Sequence, residues 1–86
     1  MTRNKITEQL ITIFSERFEI ENPGLDDDLR EEHEFDSIDA IELLHEIELM
    51  LGSRLTQDEK KQAMEISTLN QIVDYIEAMA ASRRAD

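Results

Sequence analysis

The chain has no cysteine, and this absence excludes several kinds of chemistry. Its 86 residues allow no disulfide framework, no thiolate metal site and no cysteine nucleophile. Long apolar runs are also missing. The N-terminus carries no apolar signal segment, and no stretch approaches the length needed to cross a bilayer. We therefore expect a cytoplasmic protein without stable membrane insertion.

Basic residues are scarce, and the acidic ones are concentrated in one region. The chain has 9 Lys and Arg against 21 Asp and Glu, a formal net charge of −12. Residues 26–48 hold 11 carboxylates and a single base, Arg30, which gives a net charge of −10. Such a field repels nucleic acid and attracts basic protein surfaces, so we expect basic protein partners and no nucleic acid. A merely solubilising acidic face is the alternative for any one charge run.

The apolar residues fall in helical rows, which predicts an all-α protein with one domain over residues 1–86. The first helix is expected from about Asn4 to Phe18, and Pro23 and Gly24 break it. The acidic stretch Leu25 to Phe35 is expected to form a long loop. Its residues Leu25, Leu29 and Phe35 are expected to pack against the core.

Three more helices are predicted. The second spans Ser37 to Leu51 and ends at Gly52; its apolar positions are Ile38, Ile41, Leu44, Ile47 and Leu51. Thr56 opens a short third helix that ends near Met64, and Thr68 opens a fourth that runs to about Ala81. The apolar face of the fourth helix comprises Leu69, Ile72, Val73, Ile76 and Met79. The expected fold is a four-helix bundle with a long loop between helices 1 and 2 and a short third helix.

The sequence Asp36-Ser37-Ile38 places a serine at the start of the acidic second helix. Either Asp36 or Ser37 can cap the helix, because a short side-chain oxygen can accept from the free N–H groups there. The same N–H groups and the helix dipole favour a phosphate at this point. Ser37 is therefore either an ordinary cap or a covalent attachment point for a phosphodiester.

This segment resembles the attachment site of acyl carrier proteins, in which Asp-Ser-Leu/Ile opens the second helix. Glu42 follows at the family's offset, and Asp74-Tyr75-Ile76 resembles the family's last helix. The resemblance implies that a phosphopantetheinyl transferase attaches 4′-phosphopantetheine from coenzyme A to Ser37. The cofactor thiol would then carry fatty-acid or polyketide-like acyl groups as thioesters. The chain itself would be a monomer and not an enzyme. Its partners would be acyl-transferring, condensing and tailoring enzymes with basic docking surfaces.

The resemblance also implies two further sets of residues. The expected docking residues are the acids of the second helix: Asp36, Asp39, Glu42, Glu46 and Glu48. A pocket for the acyl chain is expected between the second and third helices, lined by Leu44, Ile47, Leu55, Ile66, Ile72 and Tyr75. The most economical role of these apolar residues is the core itself, and the two roles are compatible.

Several positions depart from the family pattern. The usual Leu-Gly-x before Asp-Ser is replaced by His33-Glu34-Phe35, and the stretch from Gln57 to Glu65 is longer. Leu49 stands where another acid is common, and His45 where an apolar residue is common. These differences indicate a specialised carrier rather than the housekeeping one, and the segment Asp36-Ser37-Ile38-Asp39-Ala40-Ile41 resembles carriers of polyketide-like pathways. An aminoacyl, D-alanyl or peptidyl carrier and a non-enzymatic acidic adaptor remain alternatives.

Other functional sites are not supported by the spacing of candidate residues. Asp26-Asp27-Asp28 lacks the ligand pattern of an EF-hand, and His33 and His45 have no matching zinc ligands, so no metal site is expected. His45 lies roughly 12 Å along the helix from Ser37, at 1.5 Å rise per residue, which is too far for a catalytic base.

Overall fold

The computed structural model describes residues 2–84, and the regular structure among them is entirely helical. The five helices are α1 (Arg3–Phe18), α2 (Leu29–His33), α3 (Ser37–Leu51), α4 (Gln57–Ala63) and α5 (Leu69–Arg84). The predicted all-α bundle is confirmed, and the bounds of α1, α3 and α4 agree with the sequence to within about a residue. None of the described helices is long and apolar enough to cross a membrane.

The predicted long loop between the first two main helices contains the short helix α2. The Asp28 carboxylate caps it by accepting from the backbone N–H groups of Arg30 and Glu31. Leu29 is its one buried residue. Five residues are too few to show a helical apolar period, so the pattern that revealed the longer helices could not reveal this one.

The core is built from one stripe of each long helix. Ile6, Leu10 and Phe14 of α1 are fully buried, and α1 packs directly on α5. The predicted face of α5 is confirmed, since all five of its residues are buried. Across the solvent side of this pair, the Arg3 guanidinium donates to the carboxylates of Asp74 and Glu77 at 2.6 and 2.8 Å.

The expected core face of α3 was partly wrong. Ile38 and Ile41 are 75% and 69% exposed, while Leu43 and Ile47 are buried. Because α3 carries apolar residues on two sides, the spacing of its apolar residues did not predict which side packs against the other helices. This places two isoleucines on the surface directly after Ser37.

Leu25 was wrongly expected to be pinned to the core, because its side chain is 41% exposed. Its backbone holds the segment instead, since the Leu25 carbonyl accepts from the Asn70 N–H at 3.0 Å. The Ser67 carbonyl accepts from the Leu29 N–H at 2.9 Å. Leu29 itself is buried, as predicted. The loop and α2 are thus tied to the start of α5.

Candidate functional site

Ser37 is exposed at the first position of α3, and the neighbouring Asp36 performs the capping. The Asp36 carboxylate accepts from the Asp39 N–H at 2.9 Å, and the Asp39 carboxylate accepts from the Asp36 N–H at 3.2 Å. This reciprocal capping box leaves the Ser37 hydroxyl without any role in starting the helix. The backbone N–H groups of Ser37 and Ile38 have no acceptor within the helix, because the first turn offers none. Among residues 2–84 the site therefore presents an unpaired hydroxyl beside two unpaired N–H donors.

The residues before Ser37 show how the missing family glycine is replaced. Glu34 ends α2 with φ of 54° and ψ of 33°, a left-handed conformation that a glycine adopts at no steric cost. Phe35 then turns inward and is only 7% exposed. Its ring lies 5.4 Å from that of Phe14 and 5.3 Å from that of Phe18, measured between centroids. An aromatic cluster thus fixes the backbone two residues before the serine.

An apolar cavity of about 40 Å³ lies between α3, α2, α4 and the start of α5. It has room for only about three water-sized groups as it stands. Residues of these elements and of the loop before α5 form its wall: Leu29, Arg30, Phe35, Ala40, Leu43, Leu44, Ile47, Ala63, Met64, Ile66, Ser67, Ile72 and Tyr75.

Five of the six residues expected to line a pocket lie on this wall, which includes Leu44, Ile47, Ile66, Ile72 and Tyr75. The sixth, Leu55, lies in the core and is not part of the wall. The sequence did not indicate the contributions of α2, because that helix itself was not predicted. Arg30 and Ser67 were also missed, since neither is apolar.

The five expected docking acids, four in α3 and Asp36 at its N-cap, differ in how available they are to a partner. Asp36 and Glu42 are exposed, although the Asp36 carboxylate also serves as the helix cap. The Glu46 side chain is 16% exposed and lies 3.7 Å from the Arg17 guanidinium. The Glu48 side chain is 24% exposed, and its carboxylate accepts from the Leu55 N–H. Asp39 is half-buried and occupied in the capping box. Glu42 is thus exposed and, among residues 2–84, its carboxylate has no hydrogen-bond or ion-pair partner.

The helix α4, which forms one side of the cavity, is held in place by polar contacts from α5. It has no fully buried residue. The Arg83 guanidinium donates to both carboxylate oxygens of Glu59 at 2.8 Å, and to the Arg54 carbonyl at 3.1 Å. The Tyr75 hydroxyl donates to the Glu59 backbone carbonyl. We call Arg83, Glu59 and Tyr75 the α4 clamp. The sequence predicted that the last helix ends at about Ala81, but α5 extends to Arg84 and so includes Arg83.

The clamp changes the ionisation of its members. The Arg83 guanidinium lowers the pKa of Glu59 to about 2, with the Thr56 N–H assisting. Burial, together with the charge of Glu59, raises the pKa of Tyr75 to about 12. At neutral pH the clamp therefore joins a carboxylate, a guanidinium and a neutral phenol.

Within the described part of the chain, no group of three or more His, Cys, Asp or Glu side chains is arranged to hold a metal ion.

Comparison with known proteins identifies the class. Residues 8–76 match the family described as Phosphopantetheine attachment site. The chain is therefore a carrier of the prosthetic group 4′-phosphopantetheine. The geometry of Ser37 fits this group, because an exposed hydroxyl beside free N–H donors suits a phosphodiester.

Two relatives narrow the class further. The chain is 30% identical to "Acyl carrier protein" of Lactobacillus johnsonii, over 91% of this chain and 96% of the relative. It is also 30% identical to "Acyl carrier protein 2" of Ralstonia nicotianae, over 95% of this chain and all of the relative. The chain belongs to the acyl carrier protein family.

Proposed function

We propose that this protein carries short acyl groups as thioesters on 4′-phosphopantetheine attached to Ser37. The observation that carries the proposal is the free Ser37 hydroxyl at the start of α3, with Asp36 performing the capping in its place. A serine retained at this position with no structural duty is available for chemical modification.

Attachment requires only an accessible oxygen from this chain. The Ser37 oxygen attacks the phosphorus of the coenzyme A pyrophosphate that bears pantetheine, and a new P–O bond forms. The bond to the second phosphate breaks, adenosine 3′,5′-bisphosphate leaves, and the serine proton passes to a base of the transferase. Its exposure makes the Ser37 oxygen accessible to such an attack.

The proposed docking surface is the exposed side of α3 next to Ser37, formed by Ile38, Ile41 and Glu42 with Asp36. Ile38 and Ile41 are large, exposed apolar residues, and two carboxylates flank them. Partner enzymes would match this surface with an apolar contact inside a basic rim. Exposed ion pairs contribute little individually, so docking would be fast and reversible. Glu46 and Glu48 are less available to a partner, because their carboxylates already have intramolecular partners.

The apolar cavity is the proposed shelter for the cargo. Burial of each methylene contributes about 0.8 kcal/mol, so even a partly buried chain would be favoured over a solvated one. Shelter would also keep water from the thioester.

The proposed role is transport rather than catalysis. His33 contacts the Asp27 carboxylate at 3.1 Å, and His45 is on the same helix as Ser37 but eight residues further on. Neither histidine is positioned as a base for Ser37, so the chemistry would belong to the partner enzymes.

Intact mass spectrometry tests attachment. The protein is incubated with coenzyme A, magnesium and a broad-specificity phosphopantetheinyl transferase, beside the variants Ser37→Ala and Ser82→Ala. We expect one phosphopantetheine on the parent and on Ser82→Ala, which loses an exposed serine elsewhere, and none on Ser37→Ala. Addition to Ser37→Ala would contradict the assignment of the site.

The class of cargo is tested separately on the loaded protein. We expect a malonyl- or acyl-transferring enzyme to charge it, and an amino-acid-adenylating enzyme not to do so. Charging by the adenylating enzyme alone would favour the aminoacyl carrier alternative.

A further inference from the structure

The apolar cavity has a polar corner. Two of its wall residues, Arg30 of α2 and Ser67 before α5, carry polar side chains, and every other wall residue except the Tyr75 phenol is aliphatic, aromatic or Met. The hydrogen bond from the Leu29 N–H to the Ser67 carbonyl places Ser67 next to the backbone that precedes Arg30. Arg30 is exposed and Ser67 is half-buried, so this corner lies where the cavity meets solvent.

The guanidinium of Arg30 is not committed elsewhere. Among residues 2–84 it takes part in none of the side-chain hydrogen bonds or ion pairs, although carboxylates are dense around it in the sequence. It is also the single basic residue between positions 26 and 48. Its five N–H donors therefore have no acceptor among the described residues.

Ser67 complements Arg30 as an acceptor. Its hydroxyl donates to the Gln71 side-chain oxygen at 3.2 Å, and its backbone N–H donates to the same oxygen at 2.7 Å. With its one proton used, the Ser67 oxygen retains lone pairs that accept hydrogen bonds. The corner thus offers a cationic donor from Arg30 and a neutral acceptor from Ser67.

Building on the proposed carrier function, we propose that this corner selects short acyl groups that bear a second oxygen, a carbonyl or hydroxyl on the chain beyond the thioester, over plain alkyl chains. A carbonyl accepts from Arg30, and a hydroxyl accepts from Arg30 and donates to Ser67. The small cavity volume limits the apolar part of the cargo.

The test compares two cargoes of equal length, 3-oxobutanoyl and butanoyl, each installed on the full-length protein as its acyl-phosphopantetheine. Release of the acyl group by hydroxylamine is timed for the parent and for Arg30→Met, which keeps a long unbranched stem without the charge. The change caused by the substitution is compared between cargoes, so their different intrinsic reactivities cancel. Arg30→Lys keeps the charge and should behave nearer the parent.

We expect Arg30→Met to speed release of 3-oxobutanoyl about five-fold, and to leave butanoyl nearly unchanged, since a hydrogen bond to a charged group typically contributes at least that factor. Equal acceleration of both cargoes, or none of either, would overturn the proposal. Because the Arg30 guanidinium takes part in no hydrogen bond or ion pair among residues 2–84, we expect nearly the same unfolding midpoint for the parent and for Arg30→Met.

Attachment of the cargo to Ser37 and selection between cargoes are measured separately. The proposed carrier function and the proposed selectivity can therefore be contradicted independently. Intact mass first shows whether each cargo is on Ser37. If neither cargo is installed there, the proposed function fails and this inference fails with it. If both are installed and Arg30→Met does not discriminate, only the selectivity is wrong.

Discussion

At the scale of single residues, the structure separates two roles that the sequence left open between Asp36 and Ser37. Asp36 holds the capping hydrogen bond, and the Ser37 hydroxyl is exposed. Loss of an N-cap typically costs about 1 kcal/mol of stability, whereas loss of an exposed hydroxyl costs little.

Asp36→Ala should therefore lower the free energy of unfolding by about 1 kcal/mol, and Ser37→Ala should change it by less than about 0.5 kcal/mol. Urea unfolding of the two variants beside the parent measures this. A larger loss in Ser37→Ala than in Asp36→Ala would mean that the serine is the cap after all.

Glu34 adopts a left-handed backbone conformation at the position where the family has glycine, and this conformation is unfavourable for a residue with a side chain. Its φ of 54° is unfavourable for a side chain, by roughly 1–2 kcal/mol for a residue in the left-handed region. Glycine relieves this cost but loses more chain entropy on folding, which offsets part of the gain.

We expect Glu34→Gly to raise the free energy of unfolding by about 0.5–1 kcal/mol. Glu31→Gly is the matched control within α2, where glycine should lower stability by about 1 kcal/mol. Urea unfolding compares the two, and a loss of stability in Glu34→Gly would show that its side chain does more than occupy the turn.

At the scale of elements, α4 depends on the α4 clamp because it buries no residue completely. The Glu59 and Arg83 side chains are 18% and 23% exposed, so this pair is better shielded from solvent than a surface ion pair. The lowered pKa of Glu59 makes its contribution depend on pH.

The contribution is fully present above the unfolded pKa of 4.5 and is lost as pH falls through the folded pKa of about 2. We expect acid to remove on the order of 2 kcal/mol at this site, after allowance for partial exposure. Glu59→Gln should flatten the stability profile between these pH values.

Thermal unfolding against pH tests this, with Arg17→Met as a matched control. Arg17 is 59% exposed and lies 3.7 Å from the Glu46 carboxylate, a geometry that contributes little. Equal effects of Arg17→Met and Arg83→Met on stability would contradict the clamp.

At the same scale, the helix starts could be predicted from the sequence, but the packing between helices could not. Thr56 and Thr68 were recognised as helix starts because the capping pattern is local, and the Thr68 hydroxyl does accept from the Gln71 N–H. The sequence could not predict which side of α3 is buried. The exposed residues Ile38 and Ile41 fit the helical period just as the buried residues do. The sequence predicted that Ser37 lies at the start of a helix, but it did not predict the α4 clamp. Arg83 and Glu59 are 24 residues apart and meet only through tertiary packing.

At the scale of the whole molecule, the acidic field and the exposed apolar surface act together. The net charge of −12 would speed encounter with a basic surface, and Glu42 is an exposed carboxylate beside Ile38 and Ile41. Charge at this surface should affect binding to the transferase more than the chemical step.

Glu42→Lys should raise the transferase KM about three-fold or more while kcat stays nearly constant, since it converts an attraction into a repulsion. Glu16→Lys makes the same charge change at an exposed position of α1 and should have a smaller effect. Steady-state kinetics at low and physiological salt compare them. Equal effects of the two variants would mean that net charge, rather than the α3 surface, governs docking.

The most direct test of the central claim is fragment mass spectrometry of the unsubstituted protein after treatment with coenzyme A and the transferase. The account predicts a single phosphopantetheine on the peptide that contains Ser37, localised to that residue. Modification at any other residue, or none on a folded protein that a cognate transferase has been offered, would contradict it.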